Sequence, residues 1–259
     1  MRRTVVTRIA VMALVLIPLP HRDFDPTEAG VPWRVLCEGG HRVVFATPDA
    51  APASADPRMV TGEGLGIFAP FMKADRNGRL AYDEMVRSEE FLHPITYRDI
   101  RPDVVDALIL PGGHAPGMRP YLESAQLQAV VAKLFERSRP VGAICHGVLI
   151  AARARRTDGK SVLYGRKTTA LPKTMELVGW LLTCVYLGRY FRTYPLTVED
   201  EVRTALAAST DFIRGPMMIR RDSPAHLQIG FTVRDRNYLS ARWPGDAHRF
   251  AHDFATMLQ

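Results

Sequence analysis

Apolar residues fall along this chain in short continuous runs separated by stretches of helical spacing. The runs are Ile9 to Ile17, Arg42 to Ala46, Ala107 to Leu110 and Val141 to Ile144, the lengths expected of strands covered on both faces. Between Glu123 and Ser138, the residues Leu127, Val130, Val131, Leu134 and Phe135 recur at helical spacing with Arg and Glu opposite them, which predicts a helix lying on a sheet. Strands and helices alternating in this way predict a mainly parallel sheet with crossover helices. Towards the C-terminus, Ile229 to Val233 and Tyr238 to Ala241 flank the polar Arg234 to Asn237, the pattern of a hairpin or a pair of short strands. Pro244 suits a first helical turn, and Phe250, Phe254, Met257 and Leu258 mark an amphipathic closing helix. Ala50 to Gly66 and Leu171 to Asp200 are the least regular segments. The second carries Trp180, Tyr186, Tyr190, Phe191 and Tyr194, which either line a pocket or form a helical layer.

The first apolar run follows a basic Met1 to Arg8, as in a signal peptide. It is too short to span a bilayer, and it leads into Pro18, Pro20 and the charged stretch from His21 to Asp25 instead of a small-residue cleavage site. A buried first strand explains the same residues, and a cytoplasmic protein without a membrane partner is expected. With 47% hydrophobic and 24% charged residues in 259, the chain has the material for a full core, which excludes disorder. No linker or shift in composition divides it, so one domain over residues 1–259 is expected, with a variable helical pocket region at about 171–200. The net charge of +7 raises nucleic acid as a partner. The basic residues are scattered, however, and the tight group Arg153, Arg155 and Arg156 reads as a solvated helix end, so no nucleic acid is expected. Cys37, Cys145 and Cys184 are too few and too far apart for a disulfide framework or a zinc site.

Three segments carry candidate chemistry. In Val141-Gly142-Ala143-Ile144-Cys145-His146-Gly147-Val148-Leu149-Ile150-Ala151-Ala152 a buried strand stops at a cysteine and restarts as an Ala-rich helix. Such an elbow lifts Cys145 to a helix start, where backbone N–H groups favour a thiolate, and small residues at 143 and 147 permit the turn. Leu110-Pro111-Gly112-Gly113-His114 follows another buried strand, so in a parallel sheet it shares the edge with Cys145, and its N–H groups suit an oxyanion. Asp25-Pro26-Thr27-Glu28 reads as a helix start with Asp25 as N-cap and Glu28 reaching back, with Pro32 interrupting the helix a turn later. A carboxylic acid there lies at the same sheet edge, in reach of Cys145. Asp75-Arg76-Asn77-Gly78 with Glu84 imitates a calcium loop, but Lys73 stands at its first ligand position, and no metal is expected.

These segments resemble the DJ-1/PfpI superfamily, a branch of the class I glutamine-amidotransferase-like fold. Ala143 to Gly147 is similar to the nucleophile motif, Leu110 to His114 to the glycine loop, and Glu28, Pro32 and Gly40 to the Glu-xxx-Pro-x7-Gly pattern. The resemblance implies an α/β, flavodoxin-like three-layer sandwich with a mainly parallel central sheet. It implies Cys145, Glu28 and His146 as catalytic residues, with Glu28 protonated against the sulfur, Gly112 and Gly113 as oxyanion donors, no cofactor, and a homodimer. Asp49 reads as structural. No His-x-Glu pair follows among His226, His248 and His252, which argues against glutamine hydrolysis. Where the chaperone and glyoxalase III branch has an aspartate to orient its histidine, Lys173 stands, and Glu176 is the possible triad acid. The implied activity is a glyoxalase III or deglycase-like conversion of α-oxoaldehydes, or their adducts, to hydroxy acids, in a stress response. Isocyanide hydration and a PfpI-like peptidase or amidase are alternatives, and a redox sensor or holdase chaperone is an alternative of another class.

Overall fold

The computed structural model describes residues 12–217 and 219–259. Its strands are β1 (Leu14–Pro18), β2 (Arg22–Phe24), β3 (Arg42–Thr47), β4 (Ser54–Ala55), β5 (Ile95–Thr96), β6 (Ala107–Leu110), β7 (Val141–Ile144), β8 (Thr232–Asp235) and β9 (Tyr238–Ala241). Seven of them form one sheet in the order β5-β3-β1-β6-β7-β9-β8, parallel except for the β8–β9 hairpin, while β2 and β4 make a small separate pair. The fold is the mixed α/β sandwich that the apolar runs predict. Strands β6 and β7 have the boundaries read from the sequence. The expected first strand starts later, at Leu14, and its residues up to Val11 lie outside the described ones. The late hairpin starts at Thr232 instead of Ile229, which ends a short helical turn.

From β1 the chain crosses to β3 on one side, whereas from β6 it crosses to β7 on the other. Right-handed crossovers in opposite directions place their helices on opposite faces of the sheet. Accordingly Pro26–Glu38 packs with Arg76–Met85 and Ala247–Ala255 on one face, and Ala125–Glu136 packs with Val148–Arg153 on the other. The approach is close: a Cβ on Gly142 of β7 would lie 2.8 Å from Phe250. Reversal of direction between β1 and β6 opens a crevice beyond their C-terminal ends, where open α/β sheets bind ligands.

Several local expectations change. The helix from Pro26 runs through Pro32 to Glu38. Proline lacks only the N–H that would meet the Glu28 carbonyl, and the flanking turns hold the helix in register. Leu171 to Asp200 is not irregular: it contains the 15-residue helix Lys173–Leu187 and the start of Val198–Thr204. Asp75, in the calcium-like stretch, instead caps the helix that follows by accepting the Gly78 N–H at 2.8 Å. Arg153 is not solvated, for its guanidinium grips both oxygens of Glu201 at 2.6 and 3.0 Å. Among the described residues no helix is long and apolar enough to cross a membrane, and no group of three or more His, Cys, Asp or Glu is arranged to hold a metal ion.

Candidate active site

Strand β7 ends at Ile144 in extended conformation, and Cys145 then takes φ +57° before a tight turn, Cys145–Gly147, opens the helix Val148–Arg153. A non-glycine residue in this left-handed region costs about 1–2 kcal/mol, so the surrounding structure must enforce it. The enforcement comes from Gly147. A Cβ there would sit 2.1 Å from the Leu110 carbonyl oxygen and 2.7 Å from that of Pro111, so only glycine lets the turn nest against the end of β6.

Glu28 arrives from the start of the first helix. Asp25 is its N-cap, with Oδ1 accepting the N–H groups of Thr27 and Glu28 at 2.8 and 3.1 Å. The Glu28 side chain does not reach back to complete a capping box. Its Oε2 accepts the Gly112 N–H at 2.7 Å, and the Gly112 carbonyl accepts the Asp25 N–H at 2.9 Å, which stitches the loops after β1 and β6 together. Glu28 Oε1 is buried without a hydrogen-bond partner, and a Cβ on Gly112 would lie 2.7 Å from Glu28 Oε2 and 2.8 Å from the His146 backbone nitrogen, so the carboxyl and the elbow lie against the same glycine. Burial, reinforced by the charge of Asp25, pushes the Glu28 carboxyl well above the usual range. Burial also raises Asp25, to about 6.

Cys145 is only 6% exposed, and burial pushes its thiol up, with the Glu28 carboxyl adding to the effect. The resting group is therefore a covered thiol and not the open thiolate expected from the elbow. The turn carries one backbone N–H, that of His146, towards the sulfur, and this is outweighed by desolvation. The Gly112 N–H, expected to face an oxyanion, is occupied by Glu28; at Gly113, with φ 149°, an added Cβ would lie 2.8 Å from the Asp23 carbonyl oxygen.

His146 is fully buried, and burial lowers it to about 3, so the ring is neutral. Its Nδ1 lies 3.4 Å from Cys145 Sγ, and its Nε2 lies 3.1 Å from Thr193 Oγ1. Thr193 has a single hydroxyl proton, which it donates to the His114 carbonyl at 2.6 Å. A carbonyl can only accept, so the ring must donate from Nε2, and Nδ1 is left as the acceptor facing the thiol. The hydrogen bonds thus form one directed chain from the Cys145 thiol through the imidazole and Thr193 to the His114 carbonyl. Glu176, expected to orient His146, is placed elsewhere: its Oε2 accepts the Val198 N–H at 2.8 Å and its Oε1 lies 3.5 Å from Arg192. Burial lifts its carboxyl to about 7.

Thr193 comes from the segment whose aromatic density was ambiguous in the sequence. Phe191 stacks on the His114 ring at 4.1 Å between centroids, Tyr190 meets it edge-on at 5.1 Å, and the Tyr190 hydroxyl bonds Asp56. A cleft of about 510 Å³ opens beside this wall, bordered by His114, Arg119, Leu187, Arg189 and Thr193 among others. Nothing in the sequence marks Thr193, since an isolated threonine 47 residues from His146 belongs to no spacing pattern.

An open parallel sheet with a cysteine at a strand-to-helix elbow and a buried glutamate at the switch point defines a class of flavodoxin-like α/β proteins. A family model described as ThiJ/PfpI family-like matches residues 19–216, and the chain belongs to that family. It is 26% identical over 243 residues to the deglycase PfpI of Pyrococcus furiosus, covering 93% of this chain and 97% of the relative. A deglycase of Thermococcus kodakarensis is 28% identical over 200 residues, covering 76% and 85%. Among solved structures, glyoxalase III from Candida albicans superposes with a TM-score of 0.66 at 19% identity, covering 96% of this chain and 98% of that one, a likeness of fold.

Proposed function

We propose that this protein is a cysteine-dependent enzyme of the glyoxalase or deglycase type, converting α-oxoaldehydes, or their adducts with amines and thiols, to hydroxy acids. The observation that carries the reading is the thiol of Cys145 3.4 Å from Nδ1 of the buried His146 ring, at an elbow against which the buried Glu28 carboxyl also lies. The deglycase and glyoxalase names of its relatives support the same reading.

The reaction follows from that arrangement. Sγ attacks the aldehyde carbon as its proton passes to His146 Nδ1, and the carbonyl oxygen takes a proton from Glu28, giving a hemithioacetal. The Glu28 carboxylate so formed removes the proton from the former aldehyde carbon and returns it to the neighbouring one through an enediol, while the hydroxyl proton on the first carbon passes to the oxygen of the second. The bound fragment is now a thioester of a 2-hydroxy acid, so one carbon is oxidised at the expense of the other and no external oxidant is consumed. Water attacks the thioester carbon, Sγ leaves and takes back its proton from His146, and the proton lost by the water returns to Glu28, which releases the hydroxy acid and restores the resting site. A neutral resting site suits this sequence, because the thiolate is generated only when a carbonyl is present to receive it.

Cover over the sulfur favours small carbonyl compounds over peptides. A redox sensor calls for a solvent-accessible cysteine, and the cover over Cys145, 6% exposed, favours the catalytic reading. Turnover of methylglyoxal to lactate by the wild type, lost in a folded Cys145→Ser variant, is the expected result. Full turnover by that variant would overturn the proposal.

A further inference from the structure

The cleft beside the site has a lining of one sign. Its charged side chains are Arg119, Arg189 and Arg192, and no aspartate or glutamate borders it. The carboxylates around it lie off that lining. Glu123 is 3.9 Å from the exposed Arg119, Glu176 is 3.5 Å from Arg192, and Asp56 is buried and accepts the Tyr190 hydroxyl. Arg189 is exposed, and its guanidinium makes no ion pair or hydrogen bond among the described residues.

Two of the three cations are held in place. Arg119 lies over the Tyr194 ring, 5.0 Å from its centroid, and Arg192 donates from Nη2 to the Tyr194 and Pro195 carbonyls. A guanidinium fixed in this way loses little further freedom on binding, and its planar fork suits the paired oxygens of a carboxylate or phosphate. A cleft lined by one sign of charge also concentrates ligands of the other.

The same cleft adjoins the reacting sulfur. Thr193 is on its border, with its hydroxyl 3.1 Å from His146 Nε2, and Nδ1 of that ring is 3.4 Å from Cys145 Sγ. One imidazole ring and two short contacts therefore separate the cleft from the nucleophile. A three-carbon aldehyde on the sulfur is too short to span them, whereas its adduct with an amino acid or a small thiol is long enough. At about 510 Å³ the cleft has the size of a small-ligand site.

We infer that this cleft binds the anionic end of the substrate, so that the enzyme selects adducts of α-oxoaldehydes bearing a carboxylate or phosphate over the free aldehyde. The identity of the aldehyde rests on the chemistry proposed at Cys145. The choice among its adducts falls to Arg189, with Arg119 and Arg192.

Unreactive thioethers test binding apart from turnover. Calorimetry in a phosphate-free buffer compares S-acetonyl-N-acetylcysteine with its neutral amide, and 2-(acetonylthio)ethyl phosphate with 2-(acetonylthio)ethanol. The anion is expected to bind about tenfold more tightly than its neutral partner, and the pair with the larger ratio identifies the preferred group. Arg189→Gln should cut that ratio to about threefold, and Arg119→Gln/Arg189→Gln should bring it close to one. In the wild type, kcat/KM should be higher for the methylglyoxal hemithioacetal of N-acetylcysteine than for that of its amide. Equal affinities within both pairs, or a ratio kept by a double variant with a native circular dichroism spectrum, would overturn the inference even if methylglyoxal is turned over. Tighter binding of the anions without turnover of any adduct would instead overturn the reaction proposed at Cys145 and leave the anion site supported.

Discussion

Replacing Thr193 by valine keeps the volume of the side chain and removes one hydroxyl. Thr193 Oγ1 is the acceptor for the His146 Nε2–H at 3.1 Å, inside a site where the ring is fully buried. Leaving that N–H unpaired costs about 1–3 kcal/mol. The ring can escape the cost by moving its proton to Nδ1, but that tautomer no longer accepts the Cys145 proton across the 3.4 Å contact. Either way the penalty falls on the step that generates the thiolate, and at about 1.4 kcal/mol per tenfold it predicts a loss of about 5- to 150-fold in kcat for methylglyoxal, with KM little changed. Thr193→Ser, which keeps the hydroxyl, should recover most of the loss. Nitrogen-15 shifts of the imidazole read the tautomer without reference to turnover: the wild type should show a proton on Nε2, and Thr193→Val a mixture or the Nδ1 form. A wild type protonated at Nδ1, or a valine variant that turns over normally, would refute the reasoning.

Glu28→Gln keeps an oxygen for the Gly112 N–H and removes the transferable proton, so the variant should fold while steady-state kinetics show a fall of about 10²- to 10⁴-fold in kcat. His146 is held neutral down to about 3 in the folded state. The unfolded chain takes up a proton at this residue below about 6.5, so this group's contribution to stability is lost as pH falls through that window, by about 1.4 kcal/mol per unit. Urea melts at pH 7, 6 and 5 should therefore show the stability gap between wild type and His146→Asn narrowing on acidification, whereas a gap independent of pH would contradict a neutral buried ring. Gly147→Ala forces a Cβ onto the Leu110 carbonyl, and calorimetry should find the melting temperature lower by about 4–8 °C, the equivalent of about 2 kcal/mol.

How legible these features were depends on the range of the interaction that produces them. Strands β6 and β7 are buried on both faces, so continuous apolar runs mark their ends. The elbow at Cys145 was readable because strand, small residue and helix are adjacent in the chain, and the close approach of Gly147 to Leu110 is the packing that local pattern anticipates. Other features depend on long-range packing. The cover over Cys145 is not legible, because the turn's N–H groups are visible in the sequence while the burial that pushes the thiol up comes from distant segments. The Gly112 N–H and Glu28 meet across 84 residues, and no local pattern reveals that they satisfy each other. The helix Lys173–Leu187 was hidden for another reason. Its apolar residues face outward, so the periodicity does not report packing against the sheet, and Glu176 is drawn to the Val198 N–H and away from His146.

The most direct test of the chemistry is to quench the enzyme during turnover of carbon-13-labelled methylglyoxal and map the label by mass spectrometry. A covalent three-carbon unit on the peptide containing Cys145, formed and discharged at the rate at which lactate appears, is the predicted result. Steady production of lactate with Cys145 unlabelled, or with label confined to Cys37 and Cys184, would contradict the assignment of Cys145 as the nucleophile.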